Sequence, residues 1–185
     1  MDEIGRRAAR AAAIAEAGGI EQAIVSDVLP PQLEVTLSEA LVLGLLRQGV
    51  TRFLCVLGHG STEVGEVLRV YAQAGLLRAC GVRSEIEASH AAAALRWVMG
   101  EKAAVVTSIG PGALQALAAA LVPASDGVGV WYLLGDETSE DEGPNMQQIP
   151  GVEQNAYLRL FGTLGAAYTL HTPQALPTAL RRGLN

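Results

Sequence analysis

The sequence predicts an α/β fold, namely a doubly wound, mainly parallel sheet of five to six strands with helices on both faces. Short apolar runs alternate with longer helical runs from residue 35 onwards, and no hairpin signal interrupts the alternation. The chain has 185 residues, of which 50% are hydrophobic and 17% are charged. This composition is typical of a packed globular protein that is long enough to bury a core of useful size.

The first elements are predicted from helical periodicity and from short apolar runs. Thr36 or Ser38 can cap a helix that continues to Arg47, because leucines recur along one of its faces. The predicted elements that follow are a strand at 53–57, a helix at 62–74, a weaker strand at 78–82, an alanine-faced helix at 86–99, a strand at 103–108 and a helix at 112–121.

The later elements are separated by a long polar loop. The run VGVWYLL predicts a strand at 128–134, and the polar loop occupies residues 135–150. A helix is expected around 152–160, a fifth strand at 166–170, and a last helix at 173–182 with a proline at its start. This order continues the alternation of strands and helices to the end of the chain.

The first 34 residues are interpreted as an N-terminal extension, which leaves residues 35–185 as the domain. An alanine-rich run predicts a helix at 6–17, Gly18-Gly19 ends it, and Pro30-Pro31 marks a linker. Since no pattern ties this segment to the domain, we expect it to be mobile or to depend on a partner.

Composition excludes several classes of function. The formal net charge of −6 argues against nucleic acid as a partner, because phosphate binding relies on Lys and Arg. Cys55 and Cys80 lie in apolar runs and are expected to be reduced core thiols. The three histidines and two cysteines form no metal-ligand pattern, so no metal site is expected on this chain. No secretory or membrane-spanning segment is recognised, and we expect a cytoplasmic protein.

Glu85 is the first candidate functional residue. It lies at the junction between the weaker strand and the alanine-faced helix, at the edge of the sheet where open α/β folds bind ligands. Burial beside tightly packed alanines would suit a carboxylate for proton chemistry. The alternative interpretation is a carboxylate that is stabilised only by the helix dipole, and Glu87 is expected to be a solvated charge of that kind. His90 is expected to point away from Glu85.

Two glycine-rich turns follow neighbouring strands at the same edge of the sheet. Gly58-His59-Gly60 would project His59 from a strand end, although the same letters could form an ordinary turn. Gly110-Pro111-Gly112 turns a strand sharply into a helix, whose first amides can receive a polar group, and Gln115 lies in the first turn of that helix. Gln148 lies in the polar loop, where the acidic run 136–142 is interpreted as a solvated face.

The combination of these motifs is more specific than any one of them. The order G-H-G, S-E-x-E-A-x-H-A-A-A-A, T-S-I-G-P-G-A and M-Q-Q resembles the pyrimidine-binding domain of thiamine-diphosphate-dependent enzymes. Within that superfamily the sequence is similar to the acetolactate synthase-like group, and its G-H-G and S-I-G-P-G-A runs are most similar to trihydroxycyclohexanedione hydrolase. The resemblance covers residues 35–182.

The resemblance implies a role for each matched residue. A glutamate at the position of Glu85 hydrogen-bonds N1′ of the cofactor's aminopyrimidine and promotes the imino tautomer, which removes the thiazolium C2 proton and produces the carbanion nucleophile. Acid–base help of this kind is worth about 10²–10⁴-fold, and the cofactor supplies the remaining chemistry. The implied assignments are Glu85 and His59 as catalytic, Glu85, Gly110, Pro111 and Gly112 as cofactor-binding, and His59, Gly60, Gln115 and Gln148 as substrate-binding.

The sequence also departs from the pattern of this family. Ala94-Leu95-Arg96-Trp97 replaces the usual G-Y-A-R ending of the glutamate helix. The G-D-G motif and later asparagine that hold Mg²⁺ and the diphosphate are missing, and Gly135-Asp136-Glu137 lies in the wrong context to replace them. Either the diphosphate-binding half lies on another polypeptide or the sequence is a fragment of a longer chain. We favour the first alternative and expect thiamine diphosphate to be shared with a separate diphosphate-binding subunit that holds Mg²⁺, in an α2β2 or larger heteromer.

The expected function is that of the pyrimidine-binding subunit of an enzyme acting on a 2-keto acid or diketone. Carboligation, decarboxylation and C–C cleavage stay open, because fold and superfamily do not determine the reaction. The alternative is a non-catalytic regulatory or scaffolding module that retains the fold. A binding protein for another nucleotide is disfavoured, since the sequence contains neither G-x-G-x-x-G nor a Walker motif.

Overall fold

The computed structural model describes residues 2–136 and 156–183, and a parallel sheet lies at its centre. The strands are ordered β2-β1-β3-β4, and every pair of neighbours is parallel. The strand bounds are β1 Val50–Val56, β2 Arg78–Gly81, β3 Lys102–Thr107 and β4 Trp131–Leu134. The helix bounds are α1 Glu3–Glu16, α2 Ile20–Val25, α3 Leu37–Arg47, α4 Thr62–Gln73, α5 Glu85–Met99, α6 Pro111–Ser125, α7 Ala156–Gly162 and α8 Leu176–Arg182.

The predicted α/β class with a parallel sheet is confirmed, but five to six strands is too many for the described residues, which contain four. The residues at 166–170 have no assigned secondary structure and form no ladder with β4. Their side chains have a strand-like pattern, but a strand also needs a partner's backbone groups, which side-chain pattern alone does not predict. Residues 137–155, including most of the predicted polar loop and the start of the helix expected near 152, lie outside the described residues.

Two layers of helices cover opposite faces of the sheet. Phe53 and Val106 point into a core that they share with α1 to α4. Leu54 and Val105, which alternate with them along the same strands, pack against the alanines of α5. The chain therefore leaves β1 for a helix on one face and leaves β3 for a helix on the other. Adjacent strands that diverge in this way create the crevice in which open α/β sheets bind ligands.

Helix α1 is fixed to the domain through a buried charged cluster. Its Arg7 and Arg10 both contact Glu39 of α3, and Arg7 Nε lies 3.5 Å from Glu39 Oε2. The Tyr71 hydroxyl of α4 donates to Glu39 Oε1 at 2.8 Å, and burial together with this carboxylate raises the pKa of Tyr71. Since Ile14 of α1 is also fully buried, this helix packs as part of the folded body, where the sequence suggested a mobile or partner-dependent segment.

The cysteines differ in environment. Cys55 on β1 is buried, and burial raises the pKa of its thiol to about 12. Cys80 is exposed on the short edge strand β2, so the prediction of a core position is wrong for this thiol. The apolar pattern failed there because an edge strand can leave its side chains in solvent. Among the described residues, no helix is long and apolar enough to cross a membrane.

Candidate functional site

The carboxyl ends of β1, β3 and β4 are joined by backbone hydrogen bonds beyond the sheet itself. The amide of Ser108 donates to the carbonyl of Val56 at 3.2 Å, and the amide of Ile109 donates to the carbonyl of His59 at 3.1 Å. The amide of Gly135 donates to the carbonyl of Thr107 at 3.1 Å. These contacts hold the two glycine-rich turns and the end of β4 together as one rim.

The turn after β1 is closed by Ser61 and requires glycine at position 60. The Ser61 hydroxyl and the Gly58 backbone contact each other twice, each at 3.2 Å, and Ser61 is nearly fully buried. Gly60 has a φ of +77°, and a β-carbon there would lie 2.5 Å from Ile109 Cγ2 and 2.8 Å from the backbone nitrogen of Asp136. His59 is exposed at the tip of this turn.

Glu85 is the first residue of α5 and is 7% exposed. Ser84 caps the helix by accepting a hydrogen bond from the amide of Glu87 at 3.2 Å, so the Glu85 carboxylate is beside the positive end of the helix dipole. Among the described residues, its side chain makes no hydrogen bond or ion pair. Buried carboxylates normally have such partners, so Glu85 is available to a bound polar group.

Small residues bring α5 and α6 into close contact beneath Glu85. Ala88 and Ala92 of α5 and Ala116 of α6 are fully buried. The Ser89 hydroxyl donates to the carbonyl of Ala116 at 3.4 Å, which joins the two helices directly. The alanine-rich face recognised in the sequence therefore places the start of α5 beside the start of α6.

Gly112 provides the space in which Glu85 approaches the second turn. A β-carbon at Gly112 would lie 3.0 Å from Glu85 Oε1 and 2.6 Å from the hydroxyl oxygen of Ser108. Gly110, with a φ of +62°, is the N-cap of α6, and Pro111 takes its first position. The structure thus brings Glu85 together with the G-P-G turn, as the motif order suggested.

The other candidate residues occupy the outer parts of this rim. Gln115 is exposed on α6, and Gly60 lies on the side of the rim formed by β1 and β4. Gln148 lies outside the described residues. His90 is exposed, in agreement with its predicted direction away from Glu85.

Sequence reasoning missed two features near the site. Ser108 lies between the two glycine-rich turns, and its place directly after β3 was the available signal. Glu87 is less isolated than a solvated charge, because Arg83 Nη2 contacts its carboxylate at 2.9 Å and lowers its pKa. The four-residue spacing of this pair could have predicted that contact.

A groove of about 1210 Å³ extends from this rim along the outer edge of β4. The end of the groove nearest the rim is lined by Gly60, Ser61 and Asp136, and Tyr157 also lines the groove. Burial and the nearby Asp136 carboxylate raise the pKa of Tyr157. Across residues 2–136 and 156–183, no three His, Cys, Asp or Glu side chains are grouped so that they could hold a metal ion.

Comparison with known families found one match that covers most of the domain. The model of the family described as "Thiamine pyrophosphate enzyme, N-terminal TPP binding domain" matches residues 35–157. That span contains both glycine-rich turns, Glu85 and Gln148. A search of the curated proteins found no match to this chain.

Proposed function

The chain belongs to the family of thiamine pyrophosphate (thiamine diphosphate) enzymes through its N-terminal cofactor-binding domain, and on this premise we propose that it is the pyrimidine-binding subunit of a heteromeric enzyme. Its substrate is a 2-keto acid or a diketone. The observation that carries the proposal is Glu85, a buried carboxylate with no hydrogen-bond partner among the described residues, at the rim where β1 and β3 end.

The residues present fit the aminopyrimidine half of the cofactor. This half of the cofactor has ring nitrogens and an amino group, and it needs a polar partner in a site with little water. Glu85 offers such a partner, and the bare backbone of Gly112 lets its carboxylate lie against the start of α6. Gly60 likewise leaves space on the other side of the rim, because a β-carbon there would clash with the backbone of Asp136.

Glu85 is proposed to exchange a proton with N1′ of the aminopyrimidine. The thiamine diphosphate, once bound, supplies the nucleophilic carbon that attacks the substrate carbonyl. The low exposure of Glu85 strengthens its interaction with a bound nitrogen, because few water molecules compete for the carboxylate. His59, exposed at the tip of its turn, is proposed to act on the substrate side, together with Gly60 and Gln115.

The diphosphate and Mg²⁺ are proposed to be held by a separate subunit. The sequence contains no G-D-G motif, and the described residues contain no group of three acidic, histidine or cysteine side chains suited to a metal ion. Mg²⁺ bound to a diphosphate would take its protein ligands from carboxylate or carbonyl oxygens. A partner chain with G-D-G and a later asparagine would supply them, in an α2β2 or larger assembly.

The reaction is proposed to be a lyase or transferase reaction, in which a C–C bond beside a carbonyl is broken or made. Decarboxylation, carboligation and C–C cleavage are all compatible with a carboxylate that serves the cofactor rather than the substrate. The keto substrate is proposed to lie in the groove beside β4, at the end nearest the rim, where Gly60, Ser61 and Asp136 line it.

The test compares the chain alone with the chain and its partner. The purified chain is titrated with thiamine diphosphate and Mg²⁺ in a calorimeter, and is then mixed with any G-D-G-bearing chain that a neighbouring reading frame encodes. We expect negligible binding by the chain alone, and both binding and turnover of a 2-keto acid by the mixture. Turnover by the chain alone would overturn the shared-site proposal. If Glu85→Gln changed neither the cofactor binding nor the turnover of the mixture, Glu85 would not have its proposed role.

A further inference from the structure

Glu85 is buried but unpaired among the described residues, which raises the question of what holds its carboxylate in place. Transfer of a carboxylate away from water is costly unless hydrogen bonds compensate for it. The first turn of α5 gives partial compensation through its dipole. Its capping hydroxyl, Ser84, is already engaged with the amide of Glu87 at 3.2 Å, so any further donor has to come from another element.

Ser108 is a hydroxyl that the fold holds in a fixed position next to this carboxylate. Its amide is bound to the carbonyl of Val56 at 3.2 Å, at the end of the β1–β3 ladder. A β-carbon placed on Gly58 would lie only 2.9 Å from the Ser108 β-carbon, which shows how closely the neighbouring turn approaches it. The backbone of Ser108 is therefore held in place, and its side chain is the part that can rotate.

The Ser108 hydroxyl and the Glu85 carboxylate converge on the same point of α6. The β-carbon position of Gly112 lies 2.6 Å from Ser108 Oγ and 3.0 Å from Glu85 Oε1. The hydroxyl's own contact is with the carbonyl of Ile109 at 3.5 Å, the outer limit for a hydrogen bond. In the structure the two oxygens make no hydrogen bond to each other, but each lies within 3.0 Å of the same point above a glycine.

We propose that Ser108 is a positioning residue for Glu85, and that its hydroxyl donates a hydrogen bond to the Glu85 carboxylate. A rotation of the Ser108 side chain about its Cα–Cβ bond would exchange the weak contact with Ile109 for a bond to a carboxylate oxygen, which is a stronger acceptor. This bond holds the carboxylate over Gly112 and faces its second oxygen towards the rim. The catalytic meaning of the proposed bond rests on the proposed function, whereas the proposal that it forms in the free chain does not.

The test reads the Glu85 carboxylate by NMR in the full chain without cofactor. The chain is labelled with [¹³Cδ]glutamate, and the Glu85 signal is assigned by its loss in Glu85→Gln. We expect Ser108→Ala to shift the Glu85 ¹³Cδ resonance. Ser61→Ala serves as the matched control, because it removes a hydroxyl from the same rim that, within the described part of the chain, bonds only to the Gly58 backbone. It should leave that resonance in place.

A second measurement uses the wild-type chain and does not depend on the folding of any variant. Replacing H₂O by D₂O should shift the Glu85 ¹³Cδ signal more than that of the exposed Glu16. The reason is that the Ser108 hydroxyl, once deuterated, donates its deuteron in a hydrogen bond to the Glu85 carboxylate. Equal isotope shifts, or an unchanged Glu85 signal in Ser108→Ala, would overturn the proposal. Both NMR measurements are made without cofactor. If the proposed function in thiamine diphosphate chemistry were wrong, their results would not change, so the two failures can be told apart.

Discussion

Replacement of Gly60 by alanine tests whether the turn after β1 is pressed against the end of β4. Gly60 has a φ of +77°, and a new β-carbon would lie 2.5 Å from Ile109 Cγ2 and 2.8 Å from the backbone nitrogen of Asp136. The left-handed backbone costs an alanine about 1–2 kcal/mol, and overpacking in a tight site adds about 1–3 kcal/mol. We expect the free energy of unfolding to fall by about 2–5 kcal/mol from the two terms together.

Gly75→Ala is the matched control for this substitution. Gly75 has a φ of +78°, nearly the same as Gly60, but no atom of residues 2–136 or 156–183 lies within 4 Å of the position that its β-carbon would take. It should therefore lose only the backbone term of about 1–2 kcal/mol. Urea denaturation monitored by tryptophan fluorescence and circular dichroism measures the free energy of unfolding of both variants. In a thermal melt, each kcal/mol lost should lower Tm by about 2–4 °C at this chain length. Equal losses in the two variants would refute the close approach of Gly60 to Asp136.

The remaining predictions concern the buried charges and the thiols. Glu39→Ala leaves Arg7 and Arg10 without their buried partner, and the free energy of unfolding in urea should fall by about 3–5 kcal/mol. Glu66→Ala, which breaks an exposed pair with Arg69, should cost at most about 1 kcal/mol, and similar losses from both variants would contradict the account. With iodoacetamide at pH 8, intact mass spectrometry should show Cys80 alkylated in the native chain and Cys55 only after unfolding, because burial raises the pKa of the Cys55 thiol to about 12. Equal alkylation rates of the two thiols in the native chain would contradict the buried position of Cys55.

The parts of the fold that depend on local pattern were predictable. The apolar runs of β1 and β3 and the helices that follow them are determined by periodicity and by turn residues within a few positions of each element. The position of Glu85 at a strand-to-helix junction follows from the same local signals. Its neighbourhood with Gly112 follows from the rule that parallel strands end at one edge of the sheet.

The parts that depend on distant partners were not predictable. Arg7 and Glu39 are separated by 32 residues in the chain, and nothing in the composition of either segment indicates that they meet. The residues at 166–170 have the side-chain pattern of a strand but no ladder with β4, since pairing is decided by backbone groups elsewhere. The closeness of the Ser108 hydroxyl to the place that a side chain at Gly112 would occupy likewise needs three-dimensional distances, because the sequence shows only that a serine precedes the turn.

The central claim is that Glu85 serves the cofactor, and the exchange of the C2 proton of thiamine diphosphate tests it most directly. The chain is assembled with its diphosphate-binding partner and Mg²⁺, and exchange in D₂O is followed by NMR after acid quench. We predict that Glu85→Gln slows the exchange by about 10²–10⁴-fold, whereas Glu87→Gln, two residues along the same helix and paired with exposed Arg83, leaves it unchanged. An unchanged exchange rate in Glu85→Gln would contradict the account.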